Sequence, residues 1–318
     1  MDLGGLTGLL GPEIDDPDEE TFMLFSHDIP SQNLGFVDSR ASILELTIAG
    51  RDLTIHQSPS VLSSNRAGGT TGAVVWKITP LFAEWLVSAD NILSKSGIIS
   101  SSSAVLELGC GISGIVGLAL SPQVSQYILS DQAYVARLVE QNLTENSEVF
   151  SAASHSHHGH KPSSKSRRAK ASNHQPRYSP SPVSQLRPDR IRFTPLDWES
   201  DAVTPSILQP GPSSSFDAVL ACDCIYNEAL IPPFVQTCAD ACRLRAREEV
   251  PNEAGPRQPC VCVVAQQLRD PGVFEAWIER FAQDFHVWRV PHEALPGQLR
   301  PEKGFVVHVG VLRESSSR

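Results

Sequence analysis

Residues 107–114 read Glu-Leu-Gly-Cys-Gly-Ile-Ser-Gly. Gly109 and Gly111 let a backbone turn tightly and approach a ligand with no Cβ in the way, and Gly114 allows close helix–strand packing. This spacing fits nicotinamide, flavin and S-adenosylmethionine sites alike, with a plain tight turn as the alternative. Asp131 stands about 20 residues further on, where a carboxylate can take both hydroxyls of a ribose. Capping a helix N-terminus is its other use, and the two are compatible. Glu107, an acid just ahead of the glycines, is unwelcome beside a pyrophosphate but acceptable near an ammonium and a sulfonium. It therefore favours S-adenosylmethionine over a nicotinamide dinucleotide.

Two further groups can do chemistry. In Leu196-Asp197-Trp198 the indole can pack on an adenine face and Asp197 can accept from its exocyclic amine; a capped, half-buried Trp is the alternative. In Ala221-Cys222-Asp223-Cys224-Ile225-Tyr226 a carboxylate and a phenol three residues apart could face one site over a turn, and together they suit an amine nucleophile. Taken alone, Asp223 could as well cap the next helix and Tyr226 pack on it. The seven cysteines lack paired zinc-ribbon spacing. Both C-x-C pairs lie in apolar runs and read as buried small hydrophobes, so no metal site is expected.

Elements must hold these groups. Short apolar runs at 104–108, 126–131, 190–194, 216–222, 260–265, 285–290 and 304–312 read as seven strands. Helical spacing at 112–120, 132–143, 230–247 and 272–283 places helices between them, which implies a mostly parallel sheet covered on both faces. The glycines, Asp131, Asp197-Trp198 and Asp223 then all fall at or just after strand ends, at the carboxyl ends where open α/β sheets bind ligands. Upstream, 43–56 alternates apolar and polar residues and reads as a β-hairpin turning at Gly50-Arg51-Asp52. Residues 78–95 read as a helix with Pro80 in its first turn.

The remainder bounds the class of protein. Of 318 residues 41% are hydrophobic, enough for one sizeable α/β domain. No run approaches ~18 apolar residues, so no membrane span is expected. Residues 1–42 are expected to be an acidic, poorly ordered tail and 43–318 the folded domain. Residues 151–190, rich in Ser, His, Pro and Lys/Arg with few large apolar groups, are expected to be a disordered insertion. Their histidine run reads as a solvated tract rather than a metal site. The net charge is −10, and the acidic excess is larger outside that basic stretch. An acidic body repels nucleic-acid phosphates and attracts a basic protein partner. An odd cysteine count with no secretory signal points to reduced thiols in the cytoplasm or nucleus.

Taken together, Gly72-Ala73-Val74-Val75-Trp76, Glu107-Leu108-Gly109-Cys110-Gly111, Asp131, Asp197-Trp198 and Asp223-Cys224-Ile225-Tyr226-Asn227-Glu228 resemble the seven-strand protein lysine methyltransferases often called family 16. The stretch from Thr70 to Thr79 and the long polar insertion are most similar to the fungal ribosomal lysine N-methyltransferase 5 group. The resemblance implies a class I, Rossmann-like S-adenosylmethionine-dependent methyltransferase: a seven-stranded sheet with its last strand antiparallel, here carrying an N-terminal β-hairpin extension. It also implies that Trp76 reaches over the S-adenosylmethionine. Gly109, Cys110 and Gly111 then line its methionine part, Asp131 the ribose and Trp198 the adenine, with Ala221 beside it. Asp223 and Tyr226 fall on the D-x-x-Y positions associated with the target lysine. The implied substrate is a large-subunit ribosomal protein and the implied enzyme a monomer. A lysine of an elongation factor or chaperone is the rival within the family. Outside it stand a non-catalytic cofactor-binding module and a nicotinamide-dependent oxidoreductase. The latter needs a pair such as Tyr-x-x-x-Lys, and four residues after Tyr226 stands Leu230.

Overall fold

A computed structural model describes residues 5–30, 35–66, 69–151, 190–208, 214–247 and 258–314. A first helix, α1 (Pro17–Phe25), precedes the hairpin β1 (Ile43–Ile48) and β2 (Arg51–His56). Then come α2 (Pro59–Leu62), α3 (Ile78–Val87) and α4 (Ile92–Lys95). The alternating part is β3 (Ala104–Leu108), α5 (Ile115–Leu120), β4 (Gln126–Asp131), α6 (Ala136–Glu145), α7 (Ser147–Ser151), β5 (Ile191–Pro195) and β6 (Ala218–Cys222). It continues through α8 (Ile231–Ala246), β7 (Val261–Gln267), α9 (Pro271–Asp284), β8 (Phe285–Arg289) and β9 (Phe305–Leu312).

Seven strands form one sheet in the order β5-β4-β3-β6-β7-β9-β8. β3 to β7 pair in parallel, and β9 runs antiparallel to both β7 and β8. This is the seven-stranded class I methyltransferase sheet that the motifs imply. The chain winds outward from β3 through β4 to β5, then crosses back to β6. The order therefore reverses between β3 and β6, and a crevice opens beyond their carboxyl ends. The central strands carry apolar residues toward both faces because helices cover both: Val105, Leu106, Leu108, Val219 and Leu220 are all fully buried. One face packs on α3, α5 and the hairpin, the other on α8 and α9.

The hairpin turns one residue earlier than expected. Ala49 and Gly50 form the bend, both with positive φ (51° and 74°), so Arg51 and Asp52 already belong to β2. Such left-handed pairs match the twist of the flanking strands. The open edge of β2 is covered by side chains of α6 and of Asn146 just after it. Asn142 exchanges two hydrogen bonds with the backbone of His56 (2.8 and 2.9 Å), and Asn146 two with that of Thr54 (3.0 and 2.9 Å). Asn142 also donates to the carbonyl of Ile112 at 2.8 Å, which ties the hairpin to the glycine loop.

The helix expected over 78–95 is two helices, because Asn91 caps a new one with its side chain, accepting from Leu93 and Ser94 N–H. The one expected from 112 starts at Ile115, after Gly114 in the left-handed region. The N-terminal segment departs from the loose tail expected of it. Asp16 caps α1, which packs on α9. Glu20 is buried against His308 (2.9 Å) and Arg289 (3.3 Å), and Glu13 meets His286 at 2.7 Å. Two acids of this segment, Glu13 and Glu20, are here ion-paired to β8 and β9. The basic insertion lies outside the described residues, apart from its ends Ser151 and Arg190.

Candidate active site

A cleft opens at the β3/β6 switch point. Trp76, Gly109, Cys110, Gly111, Asp131 and Trp198 line it, as do Asp223 and Tyr226. Ala221 does not: it is fully buried inside β6, one residue short of the opening.

The glycines form the floor for steric reasons. Gly109 and Gly111 have φ of 69° and 60°, which L side chains rarely adopt. A Cβ on Gly109 would stand 2.6 Å from Cys224 Sγ and 3.2 Å from the Trp198 ring. One on Gly111 would stand 3.1 Å from the carbonyl of Gly72. That carbonyl accepts from Ile112 N–H at 2.8 Å, so the segment holding Thr71 and Gly72 is tied across the glycine loop.

Asp131 closes one side. Its carboxylate accepts from Gly111 N–H (2.9 Å) and Gln132 N–H (2.7 Å), so it braces the loop rather than capping a helix. Burial pushes its pKa up to about 6, against the pull of those two donors and of Arg66. Arg66 donates to Gln132 Oε1 at 3.0 Å and lies over the Tyr134 ring, 4.1 Å from its centroid. Trp198 walls the other side, packed on Phe234 at 5.1 Å between centroids. Asp197 accepts from Glu199 N–H at 3.0 Å and lines the cleft beside it.

Asp223 and Tyr226 reach the cleft, though not over a helical turn. Asp223 bends the chain in the left-handed region (φ 59°), and an irregular segment then carries Tyr226 to the rim. Tyr226 is 42% exposed; burial pushes its phenol up, although a bond with the Thr71 side chain pulls the other way. Asp223 does not cap the following helical turn; Asn227 does, accepting from Ala229 N–H at 3.0 Å. The Asp223 side chain is only 2% exposed and meets Arg269, a residue that no motif marks. Arg269 Nη1 and Nη2 reach its two oxygens at 2.7 and 2.6 Å, and Gln267 N–H donates to Oδ1 at 3.2 Å. Three of about four acceptor positions on the carboxylate are thus filled.

Trp76 is held from three directions. Its indole N–H donates to Thr71 O at 3.0 Å, its ring meets Phe36 at 4.5 Å, and the Arg269 guanidinium lies 4.8 Å from its centroid. Gly72, the first residue of the Gly72–Trp76 stretch, lines the cleft too, as do Thr71, Gln132 and Tyr134, which are signalled only by their nearness to that stretch and to Asp131.

Glu107 is not a cleft residue. Its side chain turns into the sheet core and accepts from Tyr127 O–H at 2.7 Å. Burial pushes its pKa up to about 7, with the Tyr127 bond opposing. The charge argument made from its position in the sequence therefore does not apply. The thiols of Cys110, Cys222 and Cys224 lie at the cleft, and burial pushes all three well above their ordinary range, so they stay protonated.

A sheet in this order, with a glycine-floored cleft at its switch point, defines a class I methyltransferase architecture. Residues 56–158 match the model of a family described as lysine methyltransferase. The chain is 31% identical to Ribosomal lysine N-methyltransferase 5 of Zygosaccharomyces rouxii, over 74% of its own length and 72% of that protein's. It is 30% identical to the protein of the same name from Eremothecium gossypii, over 64% and 69%. It belongs to this family of lysine methyltransferases. A Schizosaccharomyces pombe protein named diaminohydroxyphosphoribosylamino-pyrimidine deaminase is 27% identical over 86% of this chain but only 53% of its own. Among solved structures, the Pyrococcus abyssi tRNA (uracil-54, C5)-methyltransferase in complex with S-adenosyl-L-homocysteine is 12% identical, with a TM-score of 0.38 over 86% of this chain and 45% of that one. That likeness is too slight to bear on function.

Proposed function

We propose that the protein is an S-adenosylmethionine-dependent protein-lysine N-methyltransferase acting on a large-subunit ribosomal protein. The observation that carries this reading is one cleft holding a glycine floor braced by Asp131 beside a carboxylate and a phenol, Asp223 and Tyr226. The residues present fit the cofactor. Gly109, Cys110 and Gly111 line the cleft, and Asp131 offers acceptor oxygens at one wall. At the other wall Trp198 Nε1 is buried without a partner among the described residues. S-adenosylmethionine bound there would supply a methyl group on a positively charged sulfur to an amine nucleophile.

The protein's own part is chiefly positioning, since a methyl displacement asks for alignment more than for covalent work. Gly109, Cys110 and Gly111 bring backbone close to the donor, Asp131 takes the ribose hydroxyls, and Trp198 and Trp76 wall its two ends. A free lysine has a pKa of ~10.4, so the amine must give up its proton before it attacks, and desolvation in a narrow cleft lowers that value. Asp223 has one acceptor direction left and orients the amine with it. Tyr226 lines the approach. The acidic net charge of −10 suits a basic substrate. The names carried by the fungal relatives support a ribosomal target. We place the enzyme in the cytoplasm, acting as a monomer.

The test is tritiated-methyl labelling of ribosomes from cells lacking the protein, with mass spectrometry of the labelled band. A methylated lysine on a large-subunit protein is the expected result, and absence of label ends the proposal. Thermal stabilisation by S-adenosylhomocysteine but not by NAD checks the cofactor separately.

A further inference from the structure

We infer that Arg269 is a positioning residue of this site, which compensates the charge of Asp223 so that an amine arriving there is not held as an ammonium. The inference rests on the lysine-methyltransferase reading.

A carboxylate alone would be the wrong neighbour for the nucleophile. An opposite charge within ~4–6 Å raises an amine's pKa by about 1–3 units and so favours the form that cannot attack. Arg269 removes that effect. Its two terminal nitrogens meet the two oxygens of Asp223 at 2.7 and 2.6 Å in a bidentate pair. A guanidinium holds its charge at every pH of interest and has no proton to lend.

Arg269 is fixed rather than mobile. Nη2 also donates to Gln267 Oε1 at 2.9 Å, and the plane lies against Trp76. The backbone beside it is pinned, with Leu268 N–H on Gly304 O at 2.8 Å and Asp270 capping α9. The pair leaves Asp223 able to orient an amine through its last acceptor direction without adding a net negative charge.

The groups around Asp223 either stay protonated near neutral pH or, like Asp131 with a pKa of about 6, titrate alike in wild type and variants. Cys222, Cys224 and Tyr226 adjoin Asp223, and burial raises all three, so they stay protonated. Asp131 lies across the cleft with Arg66, and Asp197 and Glu199 lie on the Trp198 side. Glu107 lies in β3 with a pKa of about 7, and its own titration appears equally in wild type and variants.

The experiment is single-turnover methyl transfer onto unmethylated large-subunit proteins at saturating substrate, followed from pH 6 to 10 with the full chain. The rate of the bound complex reports the bound amine. In Arg269→Gln the rising limb moves to higher pH by about one unit or more, so the rate at pH 7 falls about tenfold or more and recovers in alkali. Arg269→Lys keeps the charge and returns the limb most of the way. S-adenosylhomocysteine affinity by calorimetry stays near wild type in both. Where Arg269→Gln does not fold, Arg269→Met, which keeps an uncharged stem against Trp76, gives the same reading. A rate loss equal at all pH values, or none, overturns the inference and leaves the function standing. A wild-type protein that labels no lysine overturns both.

Discussion

Asp223 is a carboxylate with most of its hydrogen-bonding capacity already committed, and this sets its expected phenotype. Asp223→Ala removes the group proposed to orient the amine and unseats Arg269, but it touches no part of the glycine floor. Methyl transfer should fall about a hundredfold or more while S-adenosylhomocysteine affinity stays nearly unchanged. Equal losses in calorimetry and turnover would contradict that division. Asp131 is the reverse case. Asp131→Ala should weaken cofactor binding first, because it removes both the proposed ribose acceptor and the brace on Gly111 N–H. With a pKa of about 6, Asp131 also predicts that affinity declines as pH falls through 6, a trend that Asp131→Asn should flatten.

Glu107 carries a stability prediction with a definite sign. Burial, opposed by the bond from Tyr127, raises its pKa from an ordinary 4.5 to about 7, so the folded protein binds this proton more tightly than the unfolded chain. Stability from this group is therefore greatest below pH 4.5 and is lost as pH rises to 7, by roughly 3 kcal/mol. Glu107→Gln keeps an acceptor for Tyr127 and abolishes the loss. Its melting temperature should exceed wild type at pH 8 and converge with it near pH 4; parallel curves would refute the assignment.

At the scale of elements, the floor depends on a fit between the β3–α5 loop and the segment after β6. Gly109→Ala meets two separate penalties, a left-handed φ and a Cβ placed 2.6 Å from Cys224 Sγ. A loss of about 1–3 kcal/mol in stability and a clear fall in cofactor affinity are expected. Cys224→Ala added to it should recover only the steric part, measurable as partial rescue in denaturant unfolding; full rescue would mean that φ carries no strain. Elements are also where sequence and structure part in an instructive way. The glycine spacing, Asp131 and the D-x-x-Y run mark the carboxyl ends of β3, β4 and β6 from local pattern alone. Arg269 escapes because nothing near it in sequence distinguishes it from any other charged residue before a helix. It joins the site only because β6 and β7 pair side by side, with Cys222 opposite Ala265. Glu107 misleads for a related reason: it still lies inside β3, both faces of which are covered by helices, so its side chain is core, and the cleft begins only at Gly109 beyond the strand end.

For the whole molecule, the N-terminal segment closes the far edge of the sheet. Glu20 on α1 is 2% exposed and faces His308 on β9, itself fully buried, with Arg289 on β8. Burial pushes the Glu20 carboxyl up, but the bond and charge of His308, then of Arg289, outweigh it and leave its pKa below the ordinary value. Its stabilisation is thus present above about pH 4.5 and fades as pH falls through the lowered value. Glu20→Ala leaves His308 and Arg289 without their partner and should cost about 3 kcal/mol at neutral pH, seen as a lower melting temperature. An unchanged melting temperature would mean that α1 docks by apolar contact alone.

What the sequence determined by itself is whatever depends on neighbours along the chain. The seven strands, the helices between them, the hairpin, and the glycine and acid positions at strand ends all follow from periodicity and spacing. Only the tertiary structure decided the Arg269–Asp223 pair, the bracing of Gly111 by Asp131, the inward turn of Glu107, and the docking of an acidic segment on the last two strands. Those depend on which strands lie side by side and which face a side chain takes, and burial then sets the price of each charge. Such contacts join residues up to almost the length of the chain apart, as Glu20 and His308 show, and no local pattern encodes them.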